Sequence, residues 1–166
     1  AIALPGDYTH GFIHRQLARH VAGLQLGLQR LNLGILFGGF SLQRMHGGES
    51  ELHYEARAQH TNSYGVMHGG AVMTLLDVAM ATAARSDTPD MGVVTIEMKS
   101  SFIRPARGPM VAKGRMLERT RSMAFAEAWV YDAEGRLCSH STGTFKYVPK
   151  AQPAAGQGAG TISTDG

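Results

Sequence analysis

The chain has 166 residues, of which 43% are hydrophobic and 17% charged. That composition supports one folded domain and excludes a disordered chain. Lys and Arg number 16 against 13 Asp and Glu, a net charge of +3 without a dense basic cluster, so no nucleic acid is expected and a small anionic ligand suits the balance. The single cysteine, Cys138, excludes an intrachain disulfide, and no run of about 18 apolar residues offers a transmembrane span. The first ten residues lack the basic segment and apolar run of a signal peptide. A cytoplasmic protein with no membrane association is the expectation.

In chain order, Phe12, Ile13, Leu17, Val21, Leu24 and Leu28 recur every three or four residues and predict an amphipathic helix at about 10–31, weakened by Gly23 and Gly27. An apolar stretch, 33–40, follows. His46-Gly47-Gly48-Glu49 reads as a hairpin turn, after which Leu52, Tyr54, Ala56 and Ala58 alternate with polar residues as a half-buried strand. A second helix is predicted over 68–84. Beyond it, Val94, Ile96, Met98 and Phe102 are expected on one face of a strand and Thr95, Glu97 and Lys99 on the other, with Pro105 and Gly108-Pro109 closing it. Strands over 110–118, 123–131 and 137–148 follow, the last two joined by a turn at Asp132-Ala133-Glu134-Gly135. The order predicts an α+β domain over 1–148, ending in an antiparallel meander of four strands, with a flexible Ala/Gly-rich tail over 149–166.

The helix over 68–84 is apolar or small on every face, which predicts burial on all sides, as a sheet wrapped around it would give. Its one acid is Asp77. An unpaired buried carboxylate is costly, and sites that accept the cost are often functional. Gly69-Gly70 opens the helix, where the first N–H groups lack intrahelical partners and can polarise a carbonyl. The tripeptide His46-Gly47-Gly48 is identical, but a strand follows it, so it carries no such site. Along one helix Asp77 lies about 12 Å beyond Gly69 and about 80° around the axis. One carbonyl cannot meet both within a chain, so cooperation between them requires two copies with antiparallel helices.

The stretch Asn62-x-x-Gly65-x-x-His68-Gly69-Gly70, with Asp77 seven residues on, resembles the hotdog-fold acyl-CoA thioesterases, in particular the phenylacetate-pathway and 4-hydroxybenzoyl-CoA thioesterase types with an acid on the central helix. "GVVTIEMKSSFIRPARG", from Gly92, extends the likeness, which covers roughly 30–148. The resemblance implies a sheet wrapped around a long central helix, a homodimer with composite sites, and dimers pairing into a tetramer. It implies hydrolysis of an aryl- or short/medium-chain acyl-CoA to acid and CoA. No metal and no cofactor are implied, CoA being part of the substrate. By the same resemblance Asp77 acts as nucleophile or general base, and the Gly69 N–H polarises the thioester carbonyl. Asn62 positions the water or the acid, His68 lies close to the thioester, and Thr95 helps hold the water. Cations should meet the CoA phosphates, and Arg104, Arg107, Arg119, Arg121 and Ser122 stand at strand ends or turns, Arg121 and Ser122 being the best pair.

Neither a G-x-S-x-G elbow nor a Cys–His arrangement is present, and the remaining histidines form no zinc spacing. The competing readings are a non-catalytic acyl-CoA-binding or regulatory hotdog domain, against which Asp77 argues, and a hotdog dehydratase or hydratase, which needs a His and an acid together.

Overall fold

The structure, a computed structural model, describes residues 40–149. The helix expected at 10–31 and residues 150–166 of the expected tail lie outside the described residues. Strand β1 (Phe40–His46) turns into β2 (Glu49–Glu55) through Gly47 and Gly48, both at positive φ (62° and 77°). Two such residues match the twist of a hairpin that L side chains would resist. The strand predicted to reach Ala58 stops at Glu55, and Ala58–His60 forms one 3₁₀ turn. Helix α1 (Gly69–Arg85) follows, then β3 (Met91–Phe102), β4 (Pro109–Arg119), β5 (Met123–Tyr131) and β6 (Leu137–Pro149), which takes in the first residue of the expected tail. Among the described residues no helix is long and apolar enough to cross a membrane.

All six strands form one antiparallel sheet in the order β1-β2-β4-β5-β6-β3. This corrects the expected four-strand meander: only β4, β5 and β6 run consecutively, while β3 pairs with β6 at the far edge and β4 returns to β2. The connection 103–108 can make that crossing. It passes three strand spacings, about 14 Å, and six extended residues reach about 20 Å.

The sheet curls around α1. Leu75, Leu76, Ala79, Met80 and Ala83 of the helix are fully buried against Leu52, Ala112, Ala124, Ala128, Val130 and Phe145. Small residues bring the helix close. A methyl group at Gly114 would stand 2.3 Å from the Ala79 carbonyl oxygen. The Ser50 hydroxyl donates to the same oxygen at 2.7 Å, and the Tyr147 hydroxyl donates to the Ala84 carbonyl at 2.8 Å. The hairpin tip is tied to the other side of the helix C-terminus, the Gly47 and Gly48 N–H groups donating to Asp87 Oδ1 and Ser86 Oγ.

Two further expectations are corrected. The helix is not covered all round: Gly70 and Met73 are exposed and Thr74, Asp77 and Ala81 are partly so, which leaves one stripe open beside β3. The faces of β3 also differ from simple alternation. The register with β6 shifts between Thr95 and Glu97, and a bulge of one residue moves every later side chain to the opposite face. Val93 and Thr95 oppose the inward-facing Tyr147 and Phe145. After the shift Met98 and Phe102 oppose Gly143 and Ser139 and face inward too. Val94 pairs with exposed Lys146 and faces out.

Candidate active site

Asp77 stands on the open stripe of α1, and its Oδ1 accepts a hydrogen bond of 2.8 Å from the Thr95 hydroxyl. Among the described residues Oδ2 meets no donor. Burial pushes the carboxyl above its ordinary range, and the Thr95 bond opposes that rise. Thr95 reaches the acid because the bulge has not yet switched the strand's phase. The sequence placed Thr95 on the strand's polar face, and that face turns out to be the one against the helix.

The other half of the predicted motif builds the start of α1. Asn62 Oδ1 accepts the N–H groups of Tyr64 (2.9 Å) and Val66 (3.1 Å), and the Asn62 N–H donates to the Val66 carbonyl (2.8 Å). The loop is anchored where the His68 N–H meets the His60 carbonyl and the Met67 N–H meets the Ala106 carbonyl. The buried His60 ring hydrogen-bonds the Tyr54 hydroxyl beneath. His68 is the N-cap residue, exposed, and its side chain makes no capping bond. An N-terminus is ordinarily capped by Ser, Thr, Asp or Asn, a bond worth about 1 kcal/mol. Here the exposed Gly69 and Gly70 open the helix without a side-chain cap, with the positive end of the helix dipole behind their N–H groups.

Asp77 and Gly69 therefore occupy separate places on one helix, as its geometry requires. The expected phosphate ligands divide likewise. Arg104 and Arg107 lie at the N-terminal end of α1 and are engaged there, donating to the carbonyls of Leu137 (2.9 Å) and Tyr64 (2.8 Å). Arg119, Arg121 and Ser122 lie at the C-terminal end, a helix length of about 25 Å away. Arg119 stacks over the Tyr147 ring, and the Ser122 carbonyl accepts the Tyr147 N–H. Arg121 is exposed and makes no polar contact among the described residues.

Beside Gly69 lies a cleft of about 360 Å³, walled by Val66, Val72, Phe102, Ile103 and Pro105, with Arg104 at its edge and Ser139 lining it. Sequence reasoning missed this cleft. Phe102 read as one more apolar strand residue, and nothing in its spacing shows that its ring rests against Gly69. Cys138 is buried, with its thiol pushed up by that burial, and lies outside the site.

The comparisons with known proteins agree with this architecture. The thioesterase superfamily model matches residues 64–139, a span that holds every expected site residue except Asn62. A Halobacterium salinarum protein described as a candidate esterase is 31% identical over 122 residues, covering 66% of this chain and 81% of the relative. A conserved protein of Pseudomonas aeruginosa superposes with a TM-score of 0.65 at 32% identity, over 70% of this chain and 93% of that one. A variant of the phenylacetic acid degradation protein of Thermus thermophilus superposes with a TM-score of 0.59 at 27% identity, over 65% and 92%. The chain belongs to the thioesterase superfamily, and its fold is the hotdog fold.

Proposed function

We propose that this protein hydrolyses acyl-CoA thioesters, aryl or short to medium chain, to free acid and CoA, and that it acts as a homodimer with composite sites, dimers pairing into a tetramer. The observation that carries this reading is Asp77: the one acid on α1, raised in pKa by burial, one oxygen held by Thr95 and the other meeting no donor among the described residues.

The thioester carbonyl oxygen accepts the Gly69 N–H at the uncapped helix start, where the dipole stabilises the developing oxyanion. Ionised Asp77 of the second copy either removes a proton from the attacking water or attacks the carbonyl carbon itself, the anhydride then being hydrolysed. In both routes the tetrahedral intermediate expels CoA as thiolate, which takes up a proton. A thioester is electrophilic and its thiolate leaves well, so one carboxylate and one amide donor suffice. His68 stands at the same helix start, and the Asn62 amide nitrogen remains available to a water or the acyl-CoA.

The dimer is supported by the β3 edge. It is twelve residues long, unpaired on one side among the described residues, and exposes Val94 (46%) and Ile96 (56%). Glu97, Lys99 and the bulge interrupt this edge, but its long open stretch around Val94 and Ile96 offers apolar area for strand pairing. Pairing two β3 edges antiparallel sets two α1 helices antiparallel. The Arg119–Ser122 turn of one copy then approaches the Gly69 end of the other, which reunites the divided cations around one CoA.

The test is thiol release from a panel of acyl-CoA substrates. Asp77→Asn should lower turnover about 1,000-fold with the fold intact. It should also raise Tm by a few degrees at neutral pH. An acid whose folded pKa is raised stabilises the fold below its unfolded pKa and loses that contribution as pH rises through the folded value, so removing the charge helps at neutral pH and not at acid pH. Equal turnover in both proteins would overturn the assignment of Asp77. Acyl-CoA bound but never hydrolysed would identify a binding domain.

A further inference from the structure

We infer that the cleft beside Gly69 selects the acyl group, with Phe102 gauging its width and Ser139 bonding a polar group on it. This rests on the thioesterase reading. Phe102 is the last residue of β3 and faces inward opposite Ser139. Its ring lies over Gly69, so that a methyl group there would meet the ring at 3.4 Å. Yet Phe102 is 55% exposed. A ring that faces inward but is not packed into the core can move at little cost, and it stands where a substrate carbonyl on the Gly69 N–H would have to pass.

The cleft beside it is lined by Val66, Val72 and Ile103, and by Ser139 of β6. Ser139 is 1% exposed and lines the cleft. A hydroxyl lining an otherwise apolar cleft can bond a polar group of a ligand and so fix its orientation. The remainder of an acyl-CoA must run out to solvent to carry its phosphates. A cleft backed by the sheet therefore suits the end that stops, the acyl group. An acyl chain with an apolar body and a hydrogen-bonding group at its tip matches both the walls and the Ser139 hydroxyl.

Two variants and matched substrates test this. kcat/KM is measured for acyl-CoA pairs that differ in bulk next to the carbonyl, and for pairs that differ only in a terminal hydroxyl. Phe102→Ala should shift the preference toward the bulkier partner about tenfold or more, and Phe102→Trp should shift it the other way. Ser139→Ala should cost the hydroxylated partner about tenfold while leaving the unsubstituted one unchanged. Uniform changes across each pair would overturn the proposal, because a structural role alone moves all substrates together. Turnover by the wild type establishes the thioesterase reading separately from these ratios. If the wild type hydrolyses no acyl-CoA, the same pairs are compared by equilibrium binding to wild type and variants. Pair-selective changes in binding then uphold the cleft although hydrolysis fails, and absence of both binding and turnover overturns both.

Discussion

A hydroxyl that donates to a carboxylate favours its ionised form, and burial favours the neutral one. At Asp77 the two oppose each other, with burial the larger. Both chemical routes need the ionised acid, so the rate should rise with pH along a limb set by Asp77 above the ordinary carboxylate range. Thr95→Val keeps the side-chain shape and removes the donor. The pKa then climbs further, and the limb should move to higher pH by about one unit, since a hydrogen bond to a charged group is worth about 1.5 kcal/mol or more. The plateau rate should change little, and Thr95→Ser should restore the limb. A pH–rate profile of the three proteins checks this. If the plateau falls while the limb stays in place, Thr95 holds the water and does not tune the acid.

At the scale of elements, the helix sits where the sheet lets it come close, and Gly114 is the point of closest approach. A Cβ there would meet backbone, 2.3 Å from the Ala79 oxygen and 2.6 Å from the Ser50 hydroxyl oxygen. Backbone cannot swing aside as a side chain can, so Gly114→Ala should destabilise by about 3 kcal/mol. Ser50→Ala removes one hydrogen bond at the same contact and should cost about 1 kcal/mol. Urea unfolding of the two variants gives the comparison, and a Gly114→Ala cost no larger than that of Ser50→Ala would show that the helix can slide on the sheet. Elements of this kind were legible in the sequence because alternation and helical spacing are local. The hairpin at Gly47-Gly48, the helix over the HGG stretch and the turn at Asp132 could all be read in this way. The partner of β3 was not, because a neighbour in a sheet is chosen by the path of the helix and the crossing at 103–108, not by the strand's own residues. Nor was the bulge near Ile96 legible: alternation looks unbroken across it, and only pairing with β6 shows that Met98 and Val94 face opposite ways. The site shows the same division. Asp77 and Gly69 stood out by charge and by position on a helix, whereas Phe102 and Ser139 come together beside Gly69 through a pairing of β3 with β6 that no spacing records.

For the whole molecule, the proposed function needs a second copy, because Gly69 and Asp77 stand apart along α1, and complementation tests that need directly. Asp77→Ala removes the acid. Gly69→Pro removes only the N–H: His68 already has φ −57° and ψ 139°, the extended conformation that a residue before proline adopts, and proline is well accepted at the first helical position. A Cβ at this position meets the Phe102 ring at 3.4 Å, ordinary contact distance. Each variant alone should fold and be inactive. Co-expressed in equal amounts, half of the dimers pair one variant with the other, and one of the two composite sites in each such dimer then joins an intact Gly69 N–H to an intact Asp77. About a quarter of the wild-type activity should return. Sites built within one chain would stay dead in every pairing, because each chain lacks one of its two groups. Recovered turnover, with heterodimers counted by native mass spectrometry, therefore separates a site shared across the β3 edge from one contained in a single protomer. The recovered fraction should follow the heterodimer fraction as the mixing ratio is varied.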